Sequence, residues 1–322
     1  MPNPLSPGFA HDGVGKTLPY RQKGNMTLDM HHTRRGSGKP LLLIPGLGGS
    51  GQSWGPILDG LAAEREVITV DLPGFGKTPP LDGPVTIRTL ADAVTEWVHA
   101  NRLTGVDAVG SSMGARLVLE LARRGGVLGG VVALDPGGFW QGRQRGFFYT
   151  SIRLSVALVR LLQPVIPLFT GNPVGRTLLF SQFSAHPWTL SPQVTLEEMR
   201  GYAASPSLDE LLHSLAYGEA QQGAPRGTIT APFVIGWGDR DRVCFPSQAR
   251  RAKRLFPDAR LVWFEDCGHF PMWDAPEKTT RLILIDESLK PFAQLAIALL
   301  FQKRASKAAA FQVRLEGIGQ GG

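Results

Sequence analysis

The residues Gly110-Ser111-Ser112-Met113-Gly114 fit the pattern G-x-S-x-G, and they stand between an apolar run and a helical segment. A strand before this pattern and a helix after it are the context of a nucleophile elbow, a turn so tight that its flanking residues must be small. The turn lifts the central hydroxyl above the sheet. We therefore expect Ser112 to be a nucleophile, and Ser111 to be directed away by its neighbours.

A serine nucleophile needs a base and a group that orients the base. Of the seven histidines, His269 follows the last predicted strand, in Cys267-Gly268-His269-Phe270-Pro271. The order along the chain in such sites is Ser, acid, His. Asp241 lies three positions after Gly238, at the end of a strand, and is our candidate acid. Asp135 also ends a strand and is the competing candidate.

Two backbone N–H groups are candidates for binding an oxyanion. The helix that begins after Ser112 offers free N–H groups at its first turn, so Met113 is one donor. The loop Pro45-Gly46-Leu47-Gly48-Gly49-Ser50 follows an earlier strand and offers Leu47 as the second. This mechanism requires no cofactor and no metal. The residues predicted to contact the substrate are Gly46, Gly48, Ser111 and Phe270.

Strand-like and helix-like segments alternate from about residue 27 to 136, and again after about residue 226. Short apolar runs that end at Gly, Pro or Asp are typical of strands buried on both faces of a parallel sheet. We expect a doubly wound α/β sheet with intervening helices. The predicted strands are Leu41–Ile44, Val67–Val70, Val106–Val109, Val131–Leu134, Phe233–Trp237 and Leu261–Phe264, and the predicted helices are Ile87–Asn101, Ala115–Arg124 and Ser247–Leu255.

The alternation stops in the middle of the chain, where only helical signals occur. We assign residues 1–136 and 227–290 to an α/β core, with an irregular arm at 1–20, and residues 137–226 to a helical cap over the carboxyl ends of the strands. Residues 291–322, including a helical candidate at Pro291–Phe301, form an extension without an assigned role. The predicted cap is rich in apolar side chains, among them Phe147, Phe148, Leu154, Leu158, Leu161, Leu162 and Phe169. We expect core packing to explain most of these seven, and a minority of them to line an apolar acyl or alcohol pocket. The predicted cap helices are Arg145–Leu162, Pro173–Phe183, Thr195–Ala203 and Ser207–Gln221.

The composition is that of a globular protein, with 43% hydrophobic and 19% charged residues among 322. The net charge is +7, but the basic residues are scattered and no nucleic-acid motif is present. Two P-loop-like stretches, at 13–17 and 74–78, lack the leading glycine of that motif. Polar residues and prolines interrupt Leu154–Phe169, so no membrane-spanning segment is expected. With no signal peptide and two cysteines, expected as free thiols, the predicted location is the cytoplasm.

Taken in order, these pieces resemble the α/β-hydrolase superfamily over roughly residues 27 to 285. The matching pieces are the Pro45–Ser50 loop, Asp71-Leu72-Pro73-Gly74-Phe75-Gly76, the Ser112 elbow, Gly238–Asp241 and Gly268-His269. The resemblance implies an eight-stranded, mostly parallel sheet, with the cap inserted after the sixth strand. Pro45 departs from the family, since many members have His before the glycine.

Within that superfamily, Ser112 argues against dehalogenases and epoxide hydrolases, whose nucleophile is Asp. We expect a carboxylesterase or lipase that cleaves apolar, small-molecule esters through an acyl-enzyme. Asp241-Arg242, Cys267-Gly268-His269 and Trp273 also resemble the carbon–carbon bond hydrolases of aromatic ring cleavage. A cofactor-free haloperoxidase-like side activity and a ligand-binding protein on a hydrolase fold are also compatible with these residues. The oligomeric state is left open.

Overall fold

The computed structural model describes residues 29–284. Seven strands form one sheet in the order β1-β3-β2-β4-β5-β6-β7. β1 is antiparallel to β3, and every other neighbouring pair is parallel. The strands are β1 (His32–Arg35), β2 (Pro40–Ile44), β3 (Glu66–Val70), β4 (Val106–Ser111), β5 (Leu128–Leu134), β6 (Phe233–Gly238) and β7 (Arg260–Phe264).

Ten α-helices have defined bounds within the described residues, and residues 276–284 are helical as well. In the core, α3 packs on β4 and β5, and α9 on β6 and β7. The core helices are α1 (Gly55–Ala62), α2 (Ile87–Ala100), α3 (Met113–Arg124), α9 (Ala249–Leu255) and α10 (Pro271–Asp274). The other five are α4 (Arg143–Leu162), α5 (Ile166–Thr170), α6 (Pro173–Phe180), α7 (Pro192–Ala204) and α8 (Leu208–Tyr217).

The mostly parallel α/β architecture is confirmed, but the strand count differs from the prediction. Residues 29–284 contain seven strands rather than eight, and the helical insertion follows the fifth of these rather than the sixth. All six strands that the apolar runs predicted are present. The central strands β4 and β6 are buried at every residue, as expected for strands with helices on both faces.

The two edge strands explain where the sequence prediction was incomplete. β1 consists of His-Thr-Arg-Arg, so no apolar run predicts it. Its position in the sheet depends on pairing with β3, which is distant in sequence. β7 was predicted to be buried on both faces. It is instead an edge strand whose first four residues are partly or fully exposed.

The insertion between β5 and β6 is helical, as predicted, although α6 and α8 each end earlier than expected, at Phe180 and Tyr217. The apolar side chains of the insertion differ from the prediction in their burial. Core packing does not explain most of the seven predicted cap side chains, because four of them are largely exposed. These four are Phe147, Leu154, Leu158 and Leu161.

Some predictions fall outside the described residues. The arm at 1–20, the P-loop-like stretch at 13–17, the helical candidate Pro291–Phe301 and the extension 291–322 are among these. Cys244 and Cys267 are described, and both are free and buried.

Candidate active site

Ser112 occupies the single residue between the end of β4 and the start of α3. Its backbone has φ 54° and ψ −110°, a conformation that non-glycine residues rarely adopt. Such strain persists only where the surrounding structure enforces it, and it is often found at functional sites. Here it turns the Ser112 side chain out of the sheet.

Two glycines make this turn possible by their lack of a side chain. A Cβ atom on Gly110 would lie 2.2 Å from the Gly114 carbonyl oxygen. A Cβ atom on Gly114 would lie 2.3 Å from the carbonyl oxygen of Ile44, in β2. The motif therefore requires glycine at positions 110 and 114, because neighbouring backbone atoms lie too close to leave room for a side chain.

The imidazole of His269 lies directly beside the Ser112 hydroxyl, with Nε2 and Oγ 2.8 Å apart. His269 follows β7 and is 1% exposed. Its backbone N–H donates to the carbonyl of Phe183, 2.7 Å away, so the histidine loop is bonded to the helical insertion. At this distance Nε2 can accept the Ser112 proton directly.

Asp241 follows β6 and holds the other side of the ring. Its Oδ2 is 2.8 Å from His269 Nδ1, which leaves Nε2 free to accept when Nδ1 carries the proton. The second oxygen, Oδ1, accepts the backbone N–H groups of Val243 and Cys244 at 2.7 and 2.9 Å. These bonds fix the carboxylate in the orientation that the imidazole needs.

The competing acid, Asp135, does not reach the histidine. Its Oδ1 accepts the backbone N–H of Gly238 at 2.8 Å, and it is fully buried after β5. Burial and the neighbouring Asp241 raise the pKa of the Asp135 carboxyl well above its usual range. The surroundings of Asp135 thus favour its protonated form.

The two residues predicted to donate to an oxyanion both lie beside Ser112. Leu47 and Met113 line the same cavity as Ser112 and His269. Within residues 29–284, neither backbone N–H donates a hydrogen bond to a protein acceptor. Met113 is the first residue of α3, so its N–H also lies at the positive end of the helix dipole. A negative oxygen beside Ser112 would find both donors free.

The cavity beside Ser112 measures about 20 Å³ and is mostly apolar. A space of this size holds about one water molecule. Its lining consists of Leu47, Ser112, Met113 and His269, together with Gly137, Trp140, Phe148, Ile152, Phe183, Tyr202, Leu215, Val243 and Cys244.

None of the four residues that we predict to contact the substrate belongs to this lining. Ser111 is fully buried, and its hydroxyl donates to the Met272 sulfur at 3.8 Å. Phe270 stacks on Phe183 instead of facing the cavity. Gly46 and Gly48 serve as close-approach positions, Gly46 against the Ser112 Cβ and Gly48 against Tyr202 and Leu208.

Sequence reasoning missed most of the lining, because it comes from the insertion. Phe148 and Ile152 were part of one apolar helix with no signal to distinguish inward from outward residues. Sequence reasoning also missed Asp274, which connects the insertion to the loop that carries His269. Its carboxylate accepts the N–H groups of Ala185 at 2.8 Å and Gly268 at 2.7 Å.

Asp241, Cys244 and His269 lie close enough together to bind a metal ion. Their chemistry does not favour that use. Both ring nitrogens of His269 already have partners. Burial, together with Asp241, raises the pKa of the Cys244 thiol well above its usual range, whereas metals bind the thiolate. The arrangement suits proton transfer from Ser112 better than metal binding.

Comparison with known proteins gives a consistent result. A model of the alpha/beta hydrolase family matches residues 41–282. The chain is 25% identical over 276 residues to 2-hydroxy-6-oxononadienedioate/2-hydroxy-6-oxononatrienedioate hydrolase 1 of Dechloromonas aromatica, covering 82% of this chain and 92% of that protein. It is 23% identical over 272 residues to Lipase 1 of Psychrobacter immobilis, covering 82% and 78%.

Solved structures show the same fold. A thermophilic esterase from Thermogutta terrifontis superposes with a TM-score of 0.60 at 21% identity, covering 81% of this chain and 93% of that one. At this identity the likeness concerns the architecture alone.

Proposed function

Because the chain belongs to the alpha/beta hydrolase family, we propose that it is a serine hydrolase that cleaves carboxylic esters with apolar, uncharged groups. The observation that carries the proposal is the pair of 2.8 Å contacts by which His269 joins Ser112 on one side and Asp241 on the other. This arrangement makes a serine hydroxyl nucleophilic.

In the proposed first step, His269 Nε2 takes the Ser112 proton while Oγ attacks the ester carbonyl carbon. The carbonyl oxygen becomes negative and is bound by the N–H groups of Leu47 and Met113. Each such donor contributes about 10²–10³ in rate in known cases. Asp241 stabilises the imidazolium that forms.

The tetrahedral intermediate collapses when its bond to the alcohol oxygen breaks and His269 gives that oxygen its proton. The acyl group is then held on Ser112. A water molecule that loses its proton to His269 attacks the acyl carbon, and the carboxylic acid leaves as Ser112 regains a proton. Apart from the substrate and this water molecule, residues of this chain supply each group that these steps use.

The cavity lining supports the choice of an apolar ester. Among the described residues that form it, none is Arg or Lys. A substrate carboxylate there would lose its hydration without gaining an ion pair, which is costly. This argues against a dicarboxylate such as those named for the Dechloromonas aromatica relative, although the same serine site would suit carbon–carbon bond hydrolysis.

The small cavity has a consequence for substrate access. A space of about 20 Å³ is far below the volume of an ester, so the helices above Ser112 must move, or their side chains rotate, to admit one. Within our proposal, residues 137–226 act as this cap.

A panel of p-nitrophenyl esters tests the proposal. We expect uncharged acyl groups to be cleaved faster than charged ones, and Ser112→Ala to lower kcat by about 10⁴-fold or more. Ser111→Ala is the matched control, because its hydroxyl is one residue away and fully buried. Equal rates on charged esters, or turnover of a ring-cleavage dienoate only, would contradict the ester proposal. A single slow turnover with retained product would favour a binding protein.

A further inference from the structure

Large apolar side chains cover the outer surface of helices α4 to α6. We call six of them the apolar cap face: Leu154, Leu158, Leu161, Leu168, Val174 and Leu178. Their exposed fractions lie between 48% and 76%. Single exposed apolar residues are ordinary, but three on one side of α4, with three more on the two helices that follow it, exceed scattered exposure and indicate an interaction surface.

Helix α4 is apolar on two opposite sides. Its inner side consists of Phe148, Ile152, Val156 and Val159, which are all buried. A helical residue turns about 100° from the one before it, so Leu154, Leu158 and Leu161 fall within an arc of about 60° on the other side. The inner side already accounts for the packing of this helix, so the outer leucines serve another contact.

The helical run Arg143–Thr170 is long and apolar enough to cross a bilayer by length and composition. Only 22% of its most apolar window is buried, yet α4 packs on α7 and α8 through its inner side. A helix held on the protein by one side and exposed on the other has the geometry of one that lies along a membrane surface.

The charge of this region indicates which surface it would bind. Between Asp135 and Glu197 the sequence contains no Asp or Glu, whereas it contains five arginines. Four of these are exposed, namely Arg143, Arg145, Arg153 and Arg160. Within residues 29–284, only Arg160 of the four has an acidic partner, Asp209 at 2.8 Å. By the same rotation Arg143 falls beside the outer leucines and Arg153 on their flank, where both are available to an anion, whereas Arg145 falls about 180° from Leu154.

We propose that the apolar cap face docks on anionic lipid bilayers, with its leucines inserted among the lipids and with Arg143 and Arg153 beside the headgroup phosphates. Apolar insertion and charge attraction together give the binding of interfacial helices. A second copy of this chain fits less well as the partner, because two such faces would bring unpaired arginines together.

The position of the face relates docking to the candidate active site. Phe148 and Ile152, on the inner side of α4, line the cavity beside Ser112. A bilayer on the outer side would therefore lie one helix away from that cavity. Delivery of a lipid-borne ester to Ser112 rests on the proposed function, whereas docking itself does not.

Flotation of the full-length protein with vesicles tests the docking. We expect binding to phosphatidylcholine vesicles that contain phosphatidylglycerol, weaker binding to phosphatidylcholine alone, and a decrease as salt is raised. Leu154→Gln with Leu161→Gln should weaken binding by about tenfold or more. The matched control, Leu255→Gln with Trp263→Gln, changes exposed apolar residues on the core and should bind like the wild type.

Three results would overturn the proposal. The first is a wild-type protein that fails to float with either vesicle. The second is equal binding by the two double variants, which would place the lipid contact elsewhere on the chain. The third is a wild-type oligomer that the Leu154 and Leu161 changes dissociate, which would assign the face to a second copy. None of these depends on catalysis, so the result stands whether or not the protein cleaves esters.

Discussion

Two buried carboxyl groups, Asp135 and Asp241, follow the neighbouring strands β5 and β6, and they have different hydrogen-bond partners. Asp241 binds the imidazole of His269. Asp135 accepts the backbone N–H of Gly238, and burial together with Asp241 raises its pKa well above the usual range, which favours the protonated carboxyl. A neutral Asp135 adds no charge that would compete with Asp241 for the imidazole.

This difference predicts opposite outcomes for two equivalent substitutions. Asp241→Asn should lower kcat by about 10⁴-fold, because the amide favours the wrong tautomer of His269. Asp135→Asn should leave kcat near the wild-type value, since an amide resembles a protonated carboxyl and still accepts the Gly238 N–H. Ester hydrolysis measured across pH checks both. A loss in Asp135→Asn as large as that in Asp241→Asn would show that Asp135 acts as a charged group.

At the residue scale, the sequence was most informative where chemistry depends on a local motif. The elbow glycines and the strand before them predicted the position of Ser112, and the order of elements predicted which Asp and His would meet it. Ser111 and Phe270 do not line the cavity beside Ser112, because nearness in sequence to a triad residue does not determine which way a side chain points. The burial of Ser111 shows this most clearly.

At the scale of elements, the turn between β4 and α3 depends on contacts with β2. Gly114→Ala should prevent stable folding or cost several kcal/mol, because its Cβ would lie 2.3 Å from the Ile44 carbonyl oxygen. Gly146→Ala is the matched control. No atom lies within 4 Å of a Cβ at that position inside α4, so alanine should stabilise the helix by about 0.5–1 kcal/mol.

Thermal unfolding followed by circular dichroism measures both variants. A Gly114→Ala protein as stable as the wild type would mean that β2 and the elbow are farther apart than this structure places them.

The elements themselves were predictable where their apolar pattern is strong. Continuous apolar runs identified the central strands, because these are buried on both faces. β1 has no such pattern, since an antiparallel edge strand is held by backbone pairing with β3 and needs no apolar side chains. In α4 the pattern is apolar on both sides, so periodicity could not show that Phe148 faces the cavity while Leu154 and Leu161 face outward.

At the scale of the whole molecule, a buried acid lies between the helical insertion and the core. Glu198 on α7 lies beside the side chain of Ser53, which comes just after the glycine-rich loop. Burial raises the pKa of Glu198 from 4.5 to about 7. Folding therefore favours the protonated form of this carboxyl, and the contact between α7 and the core is strongest when Glu198 is neutral.

The sign of the resulting pH dependence follows from proton binding. Between pH 4.5 and about 7 the unfolded chain releases this proton while the folded protein keeps it. The contribution of Glu198 to stability is thus complete below pH 4.5, and it declines by about 1.4 kcal/mol per pH unit as the pH rises. Glu198→Gln should remove this decline.

Urea unfolding of wild type and Glu198→Gln at several pH values isolates the effect, because all other titrating groups are common to the two proteins. We expect the free energy difference between them to change across this range and to level off above about pH 7. A constant difference would show that Glu198 is not a buried neutral acid.

The most direct test of the account is the position at which a fluorophosphonate binds covalently. The reagent reacts with a serine that a neighbouring base has activated, and peptide mass spectrometry locates the adduct. We predict one adduct per chain, on Ser112, present in the wild type and in Ser111→Ala but absent from Ser112→Ala and strongly slowed in His269→Ala. An unreactive wild-type protein, or an adduct that persists in Ser112→Ala, would contradict the assignment of Ser112 as the nucleophile.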